Sequence, residues 1–260
     1  MVEFYQGTSD TVMQRLCRTI SDFDKSWFEK CVPATEEQIG KLENICQQYG
    51  YKLPKVYLDY LRMVGENDGG LLEREWDGFA EPSISGILEL FDDKDFDARE
   101  DLQKGLLLFS YHWTDANCYL RVKEGEDNPA VVRRENEYFA GSFEKYLFEK
   151  AFRIYKDKFQ YKSSVGTSIN SFDAVLKKYS RPCSIHGGTV KERMNFVRWF
   201  TEPFSIKETW FGDDFRYFSY NEWYALEINI SHSFWLTFSC NDPALKEKAD
   251  FKLEEVFGDL

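Results

Sequence analysis

The hydrophobic period of the chain changes at GENDGG (65–70), and that change most limits what it can fold into. Upstream the pattern is helical. Thr35-Glu36-Glu37-Gln38 has the order of a capping box, in which a Thr hydroxyl and a Gln side chain satisfy the free N–H groups of a helix start. Ile39, Leu42, Cys46 and Tyr49 then share one face, and Gly50 ends that helix. Leu53-Pro54 opens another, with Pro54 expected at the first helical position, where no N–H is needed. Val56, Tyr57, Tyr60, Leu61 and Val64 are its apolar stripe, and Gly65 is expected to take a left-handed stop. Val12, Met13, Leu16 and Ile20 predict an earlier helix over about 9–20.

Downstream, short apolar runs separated by turn or acidic residues read as strands: LLEREW (71–76), SGILEL (85–90), LLLFSYHW (106–113), CYLRVKE (118–124) and AVVRRE (130–135). Cys118, Leu120 and Val122 alternate with Tyr119, Arg121 and Lys123, which predicts a sheet with one wet face. A long helix is expected from Ser142 to Gln160, with Phe143, Leu147, Ala151, Ile154 and Tyr155 on one side. YKSSVGTS (161–168) reads as a linker. Beyond it come a short helix (171–180), close-set aromatic strands including YALEINI and FWLTFSC, and a closing helix over 246–257. The fold class is therefore α+β: an N-terminal mixed helix/sheet domain (1–162), then an aromatic-rich antiparallel β-meander with flanking helices (163–260).

Hydrophobic residues at 43% and aromatics at 17% exclude a largely disordered chain. No apolar run approaches the roughly 18 residues of a membrane span, so no membrane partner is expected. The first residues show neither a basic n-region nor an apolar h-region. Six scattered cysteines without a C-x-x-C pair argue against a disulfide scaffold and for a reducing, cytoplasmic setting. The net charge of −12 is unevenly placed: residues 1–150 hold 30 acidic against 18 basic side chains, whereas 151–260 balance at 15 each. Residues 59–101 alone carry 14 acids and 4 bases. Such a stretch is either a solvated face or a docking face for something basic. It disfavours direct nucleic-acid binding, which needs Lys and Arg against phosphate.

Signatures of chemistry are missing. The chain has no phosphate-binding glycine loop, nucleophile elbow or H-E-x-x-H motif. Asp93, Asp95 and Asp97 alternate like the first ligands of an EF-hand, but Ala98 stands where the loop needs Gly and Lys104 where it needs Glu. Cys183 and His186 are the nearest approach to a thiol–imidazole pair. The expectation is no catalytic residue, no metal and no cofactor.

The run PATEEQIGKLENICQQYGYKLPKVYLDYLRMVGENDGG (33–70) resembles the SUKH superfamily, the Smi/Knr-type proteins, many of them bacterial immunity proteins. HWTDANCYLRV and FAGSFEKYLFEKAF continue its order, so the resemblance covers about 20–160, and 163–260 lie outside it. The resemblance implies an α+β domain that binds a protein and performs no chemistry. In toxin systems that partner is a toxin, often a nuclease, whose active site is basic because it must attract phosphate.

On this reading GENDGG is first a turn and also presents Glu66 and Asp68 beside Glu73, Glu75, Trp76 and Asp77. Trp76 is the expected aromatic anchor, with a core position as its alternative. Asp92, Asp93, Asp95 and Asp97 form a second acidic lobe. The expected function is an immunity protein that neutralises a basic cognate toxin. A scaffold or regulatory interaction protein is the second reading, and a small-ligand binder or enzyme using the C-terminal sheet the third.

Overall fold

A computed structural model of the 260-residue chain describes residues 11–72, 80–112, 117–133, 138–167, 200, 209–212, 216–221, 223–229 and 234–258. They fall into two compact units, one extending to Arg153 and the other beginning at Ile154.

The first unit opens with α1 (Val12–Phe23), capped by Thr11, whose hydroxyl accepts from Gln14 N while Gln14 Oε1 accepts from Thr11 N. α2 (Glu36–Gln48) starts from the expected box, with Thr35 and Gln38 in the same reciprocal arrangement. Gly50 follows at φ +81°, a conformation open to glycine at little cost. α3 (Lys55–Val64) begins one residue later than expected: Pro54 is its N-cap, and Pro54 O accepts from Leu58 N. Gly65 differs too. It sits at φ −68°, ψ −18°, so the helix turns directly into the next segment without a left-handed stop.

SGILEL corrects the sequence reading. It lies in a helix, α4 (Ile84–Asp92), because Ser83 caps the start by accepting from Gly86 N. Ile84, Ile87 and Phe91 recur on one buried face. Six residues with alternating apolar character fit either period, and the cap decides. The short α5 (Ala98–Gln103) follows.

The antiparallel sheet runs in sequence order: β3 (Ala80–Glu81), β4 (Leu106–His112), β5 (Cys118–Arg121), β6 (Val131–Val132) and β7 (Tyr138–Ala140). Its expected wet face is only partly kept along β5: Tyr119 is buried, whereas Arg121 is half-buried and Lys123, just beyond the strand, is exposed. β4 buries five consecutive side chains. A strand buried at successive positions is covered on both faces. One covering element is α6 (Phe143–Lys156): Phe143 meets Phe109 of β4 at 5.1 Å and Tyr57 and Tyr60 of α3 at 5.5 and 5.6 Å, all edge-on. These rings fix α3, and with it Tyr60, against the sheet.

The second unit holds another antiparallel sheet, ordered β8 (Tyr161–Thr167), β12 (Phe234–Cys240), β11 (Tyr224–Asn229), β10 (Arg216–Asn221) and β9 (Thr209–Gly212). YKSSVGTS, read as a linker, is thus the edge strand β8, paired with β12 over seven residues from Thr167↔Phe234 to Tyr161↔Cys240. Tyr224, Leu226, Ile228, Phe234, Leu236 and Phe238 face α7 (Pro243–Phe257), which contributes Ala249, Leu253, Val256 and Phe257 to the same core. Here the apolar residues alternate as expected, although β11 is buried at five successive positions. The expected helix at 171–180 and the pair Cys183/His186 lie outside the described residues.

No helix among the described residues is long and apolar enough to cross a membrane. Cys46, Cys118 and Cys240 are buried thiols, with Cys17 and Cys31 half-buried.

Candidate protein-binding surface

After α3 the chain enters a two-stranded antiparallel ribbon, β1 (Cys31–Val32) with β2 (Asn67–Asp68), in the register Cys31↔Asp68 and Val32↔Asn67. Four donors then converge on the Asp68 carboxylate. Oδ1 accepts from Gly70 N at 3.0 Å and Leu71 N at 2.9 Å; Oδ2 accepts from Leu72 N at 2.9 Å and the Tyr60 hydroxyl at 3.0 Å. Asn67 Oδ1 takes Gly69 N at 2.8 Å. Gly69 and Gly70, at φ +66° and +79°, allow the backbone to wrap its N–H groups around one carboxylate. The indole of Trp27 closes the turn, donating from Nε1 to Asp68 O at 2.9 Å. A Cβ at Gly69 would lie 2.7 Å from that nitrogen.

This corrects the placement of Asp68. Expected on the presenting face, it is only 2% exposed, and its carboxylate organises the turn from inside. Burial, foremost, and the adjacent Asp68 push the Tyr60 phenol well above its ordinary pKa. Trp27 had no place in the sequence reading. No local pattern marks it, because its partner lies 41 residues away.

Glu66 stands differently. It is half-buried, and its Oε2 accepts from Gln38 Nε2 at 3.0 Å and Ser85 Oγ at 2.9 Å. Gln38 therefore acts twice: its oxygen completes the α2 capping box and its nitrogen orients Glu66. Across from it, Glu81 Oε1 accepts from Ser83 N at 2.9 Å. Between the turn and the start of α4 lies a cleft of about 210 Å³, lined by Tyr60, Glu66, Asn67, Glu81 and Ser83 among others. Neither Glu66 nor Glu81 has a cationic partner among the described residues.

Asp92, Asp93, Asp95 and Asp97 are all exposed, Asp92 as the last residue of α4 and the others on its connection to α5. Asp93 Oδ1 accepts from Asp95 N at 2.9 Å, Arg99 Nε donates to Phe91 O at 2.7 Å, and Phe96 meets Tyr111 edge-on at 5.3 Å. The loop is thus tied down while its carboxylates face solvent. Arg99 reaches Asp92 at 3.6 Å. No group of three or more metal-ligating side chains occurs among the described residues. Glu73, Glu75, Trp76 and Asp77 lie outside them.

A family model described as the SMI1 / KNR4 family (SUKH-1) matches residues 33–149. The similarity to that family is confined to residues 33–149, less than half of the chain. No curated protein and no solved structure matches the chain significantly. The SUKH-1 segment takes in the capping box, the glycine turn, the cleft and the four-aspartate loop. Trp27 falls before it, so a residue outside the SUKH-1 match completes the turn inside it. β8 to β12 and α7 lie beyond the match.

Proposed function

We propose that this protein is an immunity protein that binds a cognate toxin and blocks it, without catalysing a reaction. The SUKH-1 match carries the reading, and the uneven charge supports it independently: the matched part lies in the acidic portion of the chain, with Asp92, Asp93, Asp95 and Asp97 exposed in it. A nuclease is the toxin class that fits best. Its site must be positive to hold phosphate, so an acidic loop can occupy that site in place of nucleic acid. Opposite potentials accelerate encounter by about 10 to 1,000-fold, which suits a protein that must capture a toxin before damage is done. Neither a metal nor a cofactor is needed for this role.

The test is co-expression with the toxin domain encoded beside this gene, followed by a survival assay and co-purification at low and high salt. Survival with a salt-sensitive complex is expected. No protection and no complex would overturn the reading. It would then favour the second one, a regulatory scaffold, to which the charge-balanced part beyond the SUKH-1 match lends weight.

A further inference from the structure

We infer that the cleft between the glycine turn and α4 receives one arginine side chain from the toxin, with Val32 as the apolar contact beside it. The inference rests on the proposed function for the source of the arginine; the chemistry of the cleft stands on its own geometry.

Size comes first. At about 210 Å³ the cleft is smaller than the roughly 300–1,000 Å³ typical of cofactor and metabolite pockets, while one long side chain fits it. Charge comes second. Glu66 has left part of its hydration for two neutral donors, Gln38 and Ser85, and Glu81 lines the same cleft without an internal cation among the described residues. A half-buried carboxylate held in place by neutral hydrogen bonds attracts an incoming cation strongly, since little further desolvation or ordering remains to be done. Buried Asp68 and its ring of donors keep the cleft wall rigid beneath it.

The apolar flank is the third, independent feature. Val32 is 46% exposed on β1 and lies directly across the ribbon from Asn67, which lines the cleft. Phe28, four residues earlier, is 50% exposed. An acidic cleft with the exposed Val32 paired to one of its lining residues fits a basic protein segment with an apolar neighbour to its arginine. It does not fit nucleic acid, which both carboxylates would repel. Guanidinium suits the site better than ammonium: its forked donors can address carboxylates from two elements at once, and it is more weakly hydrated.

The experiment uses the full chain. Nα-acetyl-arginine amide is titrated against the labelled protein by NMR, with the neutral isostere Nα-acetyl-citrulline amide as control. Saturable shifts at the amides of Glu66, Asn67 and Ser83 are expected with arginine only. They should weaken about tenfold or more in the double variant Glu66→Gln/Glu81→Gln, whose fold is checked by circular dichroism. Glu81→Gln alone, at an exposed position, should weaken binding with an unchanged melting temperature. Equal shifts with citrulline, or no saturable shift, would overturn the proposal. Sedimentation of the protein alone should show a monomer; a dimer lost in the double variant would overturn the toxin as occupant in favour of a second copy. Protection that persists in the double variant with undiminished toxin affinity would also overturn the cleft while sparing the immunity reading. Arginine binding without any protection would overturn the toxin as its source and leave the cation preference standing.

Discussion

The indole nitrogen of Trp27 donates to the carbonyl oxygen of Asp68 at 2.9 Å, so a residue before the SUKH-1 segment closes the glycine turn within it. Trp27 is 1% exposed, and its ring packs so near Gly69 that no side chain fits between them. Trp27→Phe keeps most of the bulk and removes the donor, and should cost about 1 kcal/mol. Gly69→Ala meets both a positive φ and the indole, and should cost about 2–4 kcal/mol. Urea melts followed by tryptophan fluorescence for the glycine variant, and by circular dichroism for both, give the two numbers. Equal losses would show that the hydrogen bond, not the close approach, sets the turn.

Asp68→Ala should be the more damaging change. It strands the N–H groups of Gly70 and Leu72 and the Tyr60 hydroxyl, and leaves Leu71 N only its longer bond to Asp68 O at 3.3 Å, so a loss of about 3–5 kcal/mol is expected. Asp68→Asn keeps one good acceptor but turns an NH2 group toward donors, so it should fall between alanine and wild type. Thermal unfolding distinguishes them. A change below about 0.5 kcal/mol for alanine would mean the carboxylate is dispensable to the turn.

Alkaline pH should destabilise the protein through its thiols. Burial raises Cys17 to about 11 and Cys46 to about 12; burial, then the charge of Asp68, raises Cys31 to about 12, all from an ordinary 9.0. The unfolded chain therefore loses these protons first. Stability is fully present below about 9 and declines as pH rises through the folded values. The urea midpoint should be lower at about pH 10.5 than at about pH 8, and iodoacetamide should label the native thiols far more slowly than the unfolded ones. A midpoint flat across that range would remove the thiols as the cause.

Replacing Asp92, Asp93, Asp95 and Asp97 together by Asn should slow association with the toxin while leaving the melting temperature nearly unchanged, since all four are exposed. Stopped-flow rates at several salt concentrations should show the variant less salt-sensitive than the wild type, because charges beyond about 8 Å are screened at physiological strength. An association rate equal to the wild type at low salt would exclude this loop from capture.

What was legible in the sequence depended on how local the determining contact is. The Thr35–Gln38 box, the Gly50 stop and the alternation in β11 and β12 are settled within a few residues, and each could be read. α4 was misread because six apolar-rich positions fit two periods until Ser83 is recognised as a cap. β8 was missed because its small and polar residues resemble a linker, and its partner is more than 60 residues away. At the candidate surface the same rule holds. Glu66 is legible as a turn carboxylate, but only the fold brings Gln38, Glu81 and Ser85 to it, and composition cannot show that four donors converge on Asp68 and draw it inward.

The pairing of β8 with β12 has a consequence for the order in which the protein can be made. The first sheet is a meander of successive strands, so the ribosome delivers each neighbour soon after the last. β8 instead waits for a strand ending at Cys240, 79 residues after Tyr161. At about 5–20 residues per second that interval is roughly 4–16 seconds, during which the SUKH-1 segment is already outside and free to fold. β9, β10 and β11 can pair in turn as they emerge, but β8 joins the second sheet only when β12 arrives. A nascent chain stalled before Phe234 would hold a strand with no partner, the kind of edge that other chains pair with.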